Sequence, residues 1–76
     1  MSPKLPAVTA RQVASVAQRL GFELRRQRGS HAVYVRASDH ARVVISMHGG
    51  TILKPKTLRG IIEDLQLTVD EFRNML

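Results

Sequence analysis

Phe22-Glu23-Leu24-Arg25-Arg26-Gln27-Arg28-Gly29-Ser30-His31-Ala32-Val33-Tyr34-Val35-Arg36 reads as two β-strands and the turn between them. Phe, Val and Tyr favour a pleated, half-buried strand, and Gly29-Ser30 is a two-residue hairpin turn with glycine at its first position. A third strand-like stretch, Arg42-Val43-Val44-Ile45-Ser46-Met47, follows the connection Ala37-Ser38-Asp39-His40-Ala41. The expectation is a three-stranded antiparallel meander over Phe22–Arg28, His31–Arg36 and Arg42–Met47. Strict alternation places Phe22, Leu24, Val33, Val35, Val43, Ile45 and Met47 on the core face. It places Glu23, Arg25, Tyr34, Arg36, Arg42 and Ser46 on the opposite, open face. The same rule gives Arg26, Arg28 and His31 core-face parity. Snorkelling stems or a bulge would return the two arginines to solvent.

Helices flank this meander. Thr9 caps a first helix with Gln12 reaching back in a capping box, and Val8 is placed to staple onto Val13. Val13, Val16, Ala17 and Leu20 repeat at i, i+3, i+4 and i+7, and Gly21 is the stop. After His48-Gly49-Gly50, Pro55 opens a second helix whose buried face is Leu58, Ile61, Ile62 and Leu65. Gly60 inside it costs about 1 kcal/mol against alanine, so close packing is its expected reason. Thr68-Val69-Asp70-Glu71 is a second capping box, with Leu67 and Phe72 as its staple, opening a short helix over Val69–Met75. The order is α-β-β-β-α with a terminal helical turn. That is an α+β two-layer sandwich with helices on one sheet face, the arrangement of double-stranded-RNA-binding domains. Residues 1–76 form one domain, with 1–8 expected to be a flexible lead-in.

Composition narrows the function classes. The 76 residues contain no cysteine, which removes disulfides and thiolate zinc sites. No apolar run approaches the roughly 20 residues that span a bilayer, and the N-terminus lacks the apolar region of a signal peptide. A cytoplasmic protein without a membrane role is expected. The net charge is +6, and its distribution is uneven. Residues 1–42 hold eight of the 12 cations against Glu23 and Asp39, whereas residues 43–76 hold four of each sign. A basic half of this kind suits a polyanion such as nucleic acid, or serves only as a solvated face.

Histidine exchanges protons near neutrality, so His31, beside the arginines of the first strand, is a candidate general acid or base for metal-free RNA cleavage. The residues alone favour a histidine that merely finishes the hairpin and packs against Val33. Arg25, Arg26, Arg28, Ser30 and Lys54 are candidates for holding phosphate. Lys54 lies with Lys56 and Arg59 at the start of the second helix, where exposed amides also favour anions. His48, at a strand end before two glycines, is a secondary candidate, and His40 is a solvated turn residue. No pair of these histidines has metal-ligand spacing, so no metal and no cofactor are expected. Tyr34 alone on the open face is too little for a base-stacking platform. Two other readings remain, a non-catalytic RNA-binding module and an interaction protein that docks an acidic partner.

Several stretches resemble the HicA (YcfA-like) toxin family. They are Leu20-Gly21-Phe22, Arg26-Gln27-Arg28-Gly29-Ser30-His31, His48-Gly49-Gly50, Leu53-Lys54-Pro55-Lys56-Thr57-Leu58-Arg59-Gly60-Ile61-Ile62 and Leu67-Thr68-Val69-Asp70-Glu71-Phe72. Ala32 departs from the pattern, where relatives often carry another histidine or a larger residue, and so does Ser46, where proline is frequent. The resemblance implies a double-stranded-RNA-binding-like fold and a toxin endoribonuclease that cleaves mRNA. It implies His31 as the catalytic histidine and neutralisation by a HicB-type antitoxin. The chain would then be a monomer alone or part of a hetero-oligomer with that antitoxin.

Overall fold

A computed structural model of the protein describes residues 4–47 and 50–76. The element order is α1 (Ala10–Arg19), β1 (Glu23–Arg28), β2 (His31–Arg36), β3 (Ala41–Ser46), α2 (Pro55–Asp64) and α3 (Val69–Asn74). The strands form an antiparallel sheet in the order β1-β2-β3. Helices α1 and α2 pack on one face of it, chiefly under β3, and α3 packs on α2. The expected α+β sandwich is therefore the observed one.

The local signals act as their chemistry requires. Thr9 Oγ1 accepts from the Gln12 amide at 3.3 Å while Gln12 Oε1 accepts from the Thr9 amide at 2.9 Å. The same reciprocal pair joins Thr68 and Glu71 at the start of α3, at 2.8 and 3.1 Å. Each cap of this type is worth about 1 kcal/mol. Gly21 ends α1 with φ at +92°, a backbone angle that a side chain disfavours. Pro55 occupies the first turn of α2, and Leu58, Ile61, Ile62 and Leu65 are all buried. Leu5 and Val8 pack with the core ahead of α1. The Val8 carbonyl accepts from the Leu53 amide at 2.9 Å, and Thr9 bridges Ile52. Gly60 is exposed and a Cβ there would meet nothing within 4 Å. Close packing is thus not its reason.

Strand β2 faces the opposite way from strict expectation. Ala32 and Tyr34 are buried, whereas Val33 and Val35 lie on the open face. The cause is the length of the second connection. Arg36 pairs with Ala41, leaving only residues 37–40 in the loop, and His40 takes φ at +59° to close it. Reading Ala41 as loop adds one residue, and a one-residue change in register exchanges the faces of a strand. With this register Tyr34 lies opposite Val43 and Ala32 opposite Ile45, so the inward residues of β3 bring those two of β2 with them.

Strand β1 carries the compensating irregularity. The register shifts between Leu24, which pairs with Tyr34, and Arg26, which pairs with Val33, and Arg25 is the extra residue of this β-bulge. The bulge keeps Phe22, 2% exposed, in the core and turns Arg26 and Arg28 to the open face. All six residues of β1 are exposed, and Leu24, on the helix side by register, is half exposed beyond the cover of the helices.

Candidate functional site

The open face is built from the outward residues of the three strands. By register these are Glu23, Arg26 and Arg28 on β1, His31, Val33 and Val35 on β2, and Arg42, Val44 and Ser46 on β3. His31 has core-face parity under strict alternation, but the short second loop turns it outward, and the residue is exposed. It is the first residue of β2, directly after Gly29-Ser30. Gly29 has φ at +54°, as the first position of such a turn requires. The base of the turn is tied to β3, with the Met47 amide donating to the Ser30 carbonyl at 2.6 Å.

One cross-strand row passes through this histidine. Arg28 pairs with His31, and His31 pairs with Ser46. Neighbouring strands lie about 4.8 Å apart, so His31 has a guanidinium-bearing residue on one side and a hydroxyl-bearing residue on the other. Arg26 lies further along β1 opposite Val33, and Arg42 lies opposite Val35. These cations share the open face with a single acid, Glu23, among the described residues.

Beyond Ser46 the row opens into a cleft of about 280 Å³ lined by Ser46, Thr51, Ile52, Leu53, Lys54 and Thr57. Lys54 is exposed at the N-terminus of α2 and makes no side-chain cap of its helix. A second, smaller cleft lies in the helical layer between α1 and the C-terminal residues, where Arg19 Nη1 donates to the Met75 carbonyl at 2.6 Å.

Of the residues singled out from sequence, Arg28 and His31 come together, Arg26 joins them on the same face, and Lys54 lies across the cleft from Ser46. Arg25, expected on the open face by alternation, is the unpaired bulge residue. Ser30 sits in the turn before His31, half buried. His48 lies outside the described residues. Two expected open-face residues do not belong there. Tyr34 is 5% exposed in the core, which removes it as a stacking surface. Arg36 is turned to the other side and held by Asp39, Gln66 and the Leu20 carbonyl. Arg42, though alternation already put it on the open face, and Thr51 and Thr57 of the cleft were not singled out as site residues, since no motif marks them and only the structure brings the threonines to the cleft. Asp39 has a displaced pKa. Hydrogen bonds from Arg36 hold it below its ordinary value, against a smaller opposing effect of burial, and the Ala41 amide adds to the lowering.

The chain is thus a small basic α+β domain with an uncovered sheet face, on which an outward histidine stands among cations. A family model described as the HicA toxin of bacterial toxin–antitoxin systems matches residues 10–67, and the chain belongs to that family. Comparison with curated proteins gave no match. The chain is accordingly the toxin component of a toxin–antitoxin system. The match spans α1 to the end of α2, and α3 lies beyond it.

Proposed function

We propose that this toxin is a metal-independent endoribonuclease acting on mRNA in the cytoplasm, with His31 as its general acid/base and a HicB-type antitoxin as its inhibitor. The observation that carries the reading is the outward placement of His31 in a cross-strand row between Arg28 and Ser46. Family membership supports it, because a toxin needs a damaging activity and an antitoxin that restrains it.

The chemistry suits an imidazole on an open cationic face. His31 takes the proton of a ribose 2′-hydroxyl, and the 2′-oxygen forms a bond to the adjacent phosphorus. The bond from phosphorus to the 5′-oxygen breaks, and that oxygen takes a proton from water. The products carry a 2′,3′-cyclic phosphate and a 5′-hydroxyl. Negative charge builds on the phosphoryl oxygens during this step. In this reading Arg26, Arg28 and Lys54 hold the phosphates, with Arg25 and Ser30 contributing at the margin. General acid–base assistance of this kind contributes typically 10²- to 10⁴-fold.

Cleavage of single-stranded RNA in excess EDTA tests the proposal, comparing the wild type with His31→Ala after matching their amide spectra. The expected result is chelator-resistant cleavage with cyclic phosphate ends, reduced about 100-fold or more in the variant. Loss of wild-type activity in EDTA would overturn the metal-free step. Full activity of His31→Ala would remove the histidine from it. RNA binding without cleavage by the wild type would make the chain a passive RNA-binding module.

A further inference from the structure

We propose that the cleft between the end of β3 and the first turn of α2 is the subsite for one nucleoside of a single-stranded RNA, next to the scissile phosphate, and that it sets the cleavage preference. The inference rests on the reading of His31 as the reacting centre and adds to it a position and a direction for the chain. The cleft begins at Ser46, the cross-strand neighbour of His31. A group seated in it therefore lies on the β3 side of the histidine, opposite Arg28. The two flanks differ in chemistry. The β1 flank offers guanidinium groups, which grip phosphates without regard to base. The β3 flank offers a recess.

Size and lining identify the occupant. At about 280 Å³ the recess falls just below the range for sites of drug-sized ligands, which suits a single nucleoside. Among the described residues no carboxylate lines it, so none of them repels an anion. Ser46, Thr51 and Thr57 supply hydroxyls that both donate and accept, matching the mixed edge of a nucleobase or its ribose. Ile52, about half exposed, and Leu53 give an apolar wall for the base face. The Lys54 ammonium is available to the phosphate beyond. No aromatic residue among the described ones lines the recess itself, so recognition within it falls to base edges and shape.

The recess is also preformed. Leu53 is hydrogen-bonded to Val8, and Ile52 bridges Thr9 at the cap of α1. The wall is thus fastened to the helical layer, and little ordering remains to be done when a nucleotide enters.

The test titrates the ¹⁵N-labelled wild-type protein with the four ribonucleoside 3′-monophosphates and, separately, maps cleavage sites on a random-sequence RNA. Amide shifts should concentrate at Ser46 and Thr51–Thr57, with one base bound at least about 5-fold more tightly than the others. The paired variant Thr51→Val/Thr57→Val alters two exposed positions outside the core. It should lose that preference and narrow the rate ratio between favoured and disfavoured sites by about 5- to 10-fold. Shifts confined to the β1 arginines, or an unchanged cleavage pattern in the variant, would overturn the subsite while leaving His31 in place. Conversely, base-selective shifts in the cleft together with full activity of His31→Ala would retain the subsite and overturn the assignment of the reacting centre.

Discussion

The guanidinium of Arg36 joins three separate parts of the chain. It donates to both Asp39 carboxylate oxygens, from Nε at 3.0 Å and Nη2 at 2.8 Å, to Gln66 Oε1 at 2.8 Å and to the Leu20 carbonyl at 3.2 Å. It also lies over the Phe22 ring, 4.7 Å from the centroid. The end of α1, the loop between β2 and β3 and the connection from α2 to α3 all meet at this one side chain. Asp39 has its pKa lowered from an ordinary 3.8 by this arrangement. A depressed carboxyl pKa gives stability that is present above the unfolded value and is lost as pH falls through the folded one. Thermal unfolding of the wild type and Asp39→Asn should therefore differ near neutrality and converge as pH drops below about 3.8. A gap that stays constant down to pH 2 would show that charge on Asp39 is not the source. Because Asp39 is exposed, the gap should also shrink in high salt.

Among the elements, the helices and the inward face of β3 were legible, whereas the face of β2 and the bulge position in β1 were not, for a definite reason. A helix is marked by independent local signals, and at Thr9-Gln12, Gly21, Pro55 and Thr68-Glu71 all of them agreed with the apolar period. A strand face depends on parity alone, and parity turns on a single residue. Whether Ala41 ends the loop or starts β3 decides if Val33 or Tyr34 faces the core, and composition favours valine there. The bulge at Arg25 then restores Phe22 to the core while leaving the arginines outside. The chemistry of His31 made it a candidate and the family resemblance singled it out, whereas its direction required the register. The cleft beyond Ser46 was not legible at all, because it joins residues from β3, α2 and the loop between them. Gly60 is a residue whose explanation changed once the structure was known. Exposed, in a helix interior and with free space at its Cβ position, it is a site where alanine fits without strain. Gly60→Ala should stabilise the protein by about 0.5–1 kcal/mol, raising Tm by about 2–8 °C for a domain of this size. An unchanged or lower Tm in calorimetry would mean that the glycine relieves a constraint not visible in its surroundings.

At the scale of the whole molecule, the +6 charge divides between two layers with different tasks. Arg11 and Arg19 belong to the helical layer and Arg36 is held by Asp39, whereas Arg26, Arg28 and Arg42 stand on the open sheet face. If charge acted only through a diffuse field, any cation removed would weaken RNA binding equally. If RNA follows the row from Arg28 through His31 to Lys54, only cations on that track release counterions from phosphate. For single strands the slope of log K against log salt is about −0.7 per phosphate neutralised. Contacts from Arg26, Arg28 and Lys54 thus give a slope near −2 by the same rule. In a His31→Ala background, chosen because the proposed mechanism expects it to slow cleavage during measurement, Arg28→Ala should make the slope about 0.7 less steep. Arg11→Ala, on the exposed side of α1, should leave the slope unchanged while lowering affinity only slightly. Equal changes from the two substitutions would reject a track and leave a basic surface without direction. A change from Arg28 alone fixes the side of the sheet on which RNA, and any antitoxin that excludes it, must lie.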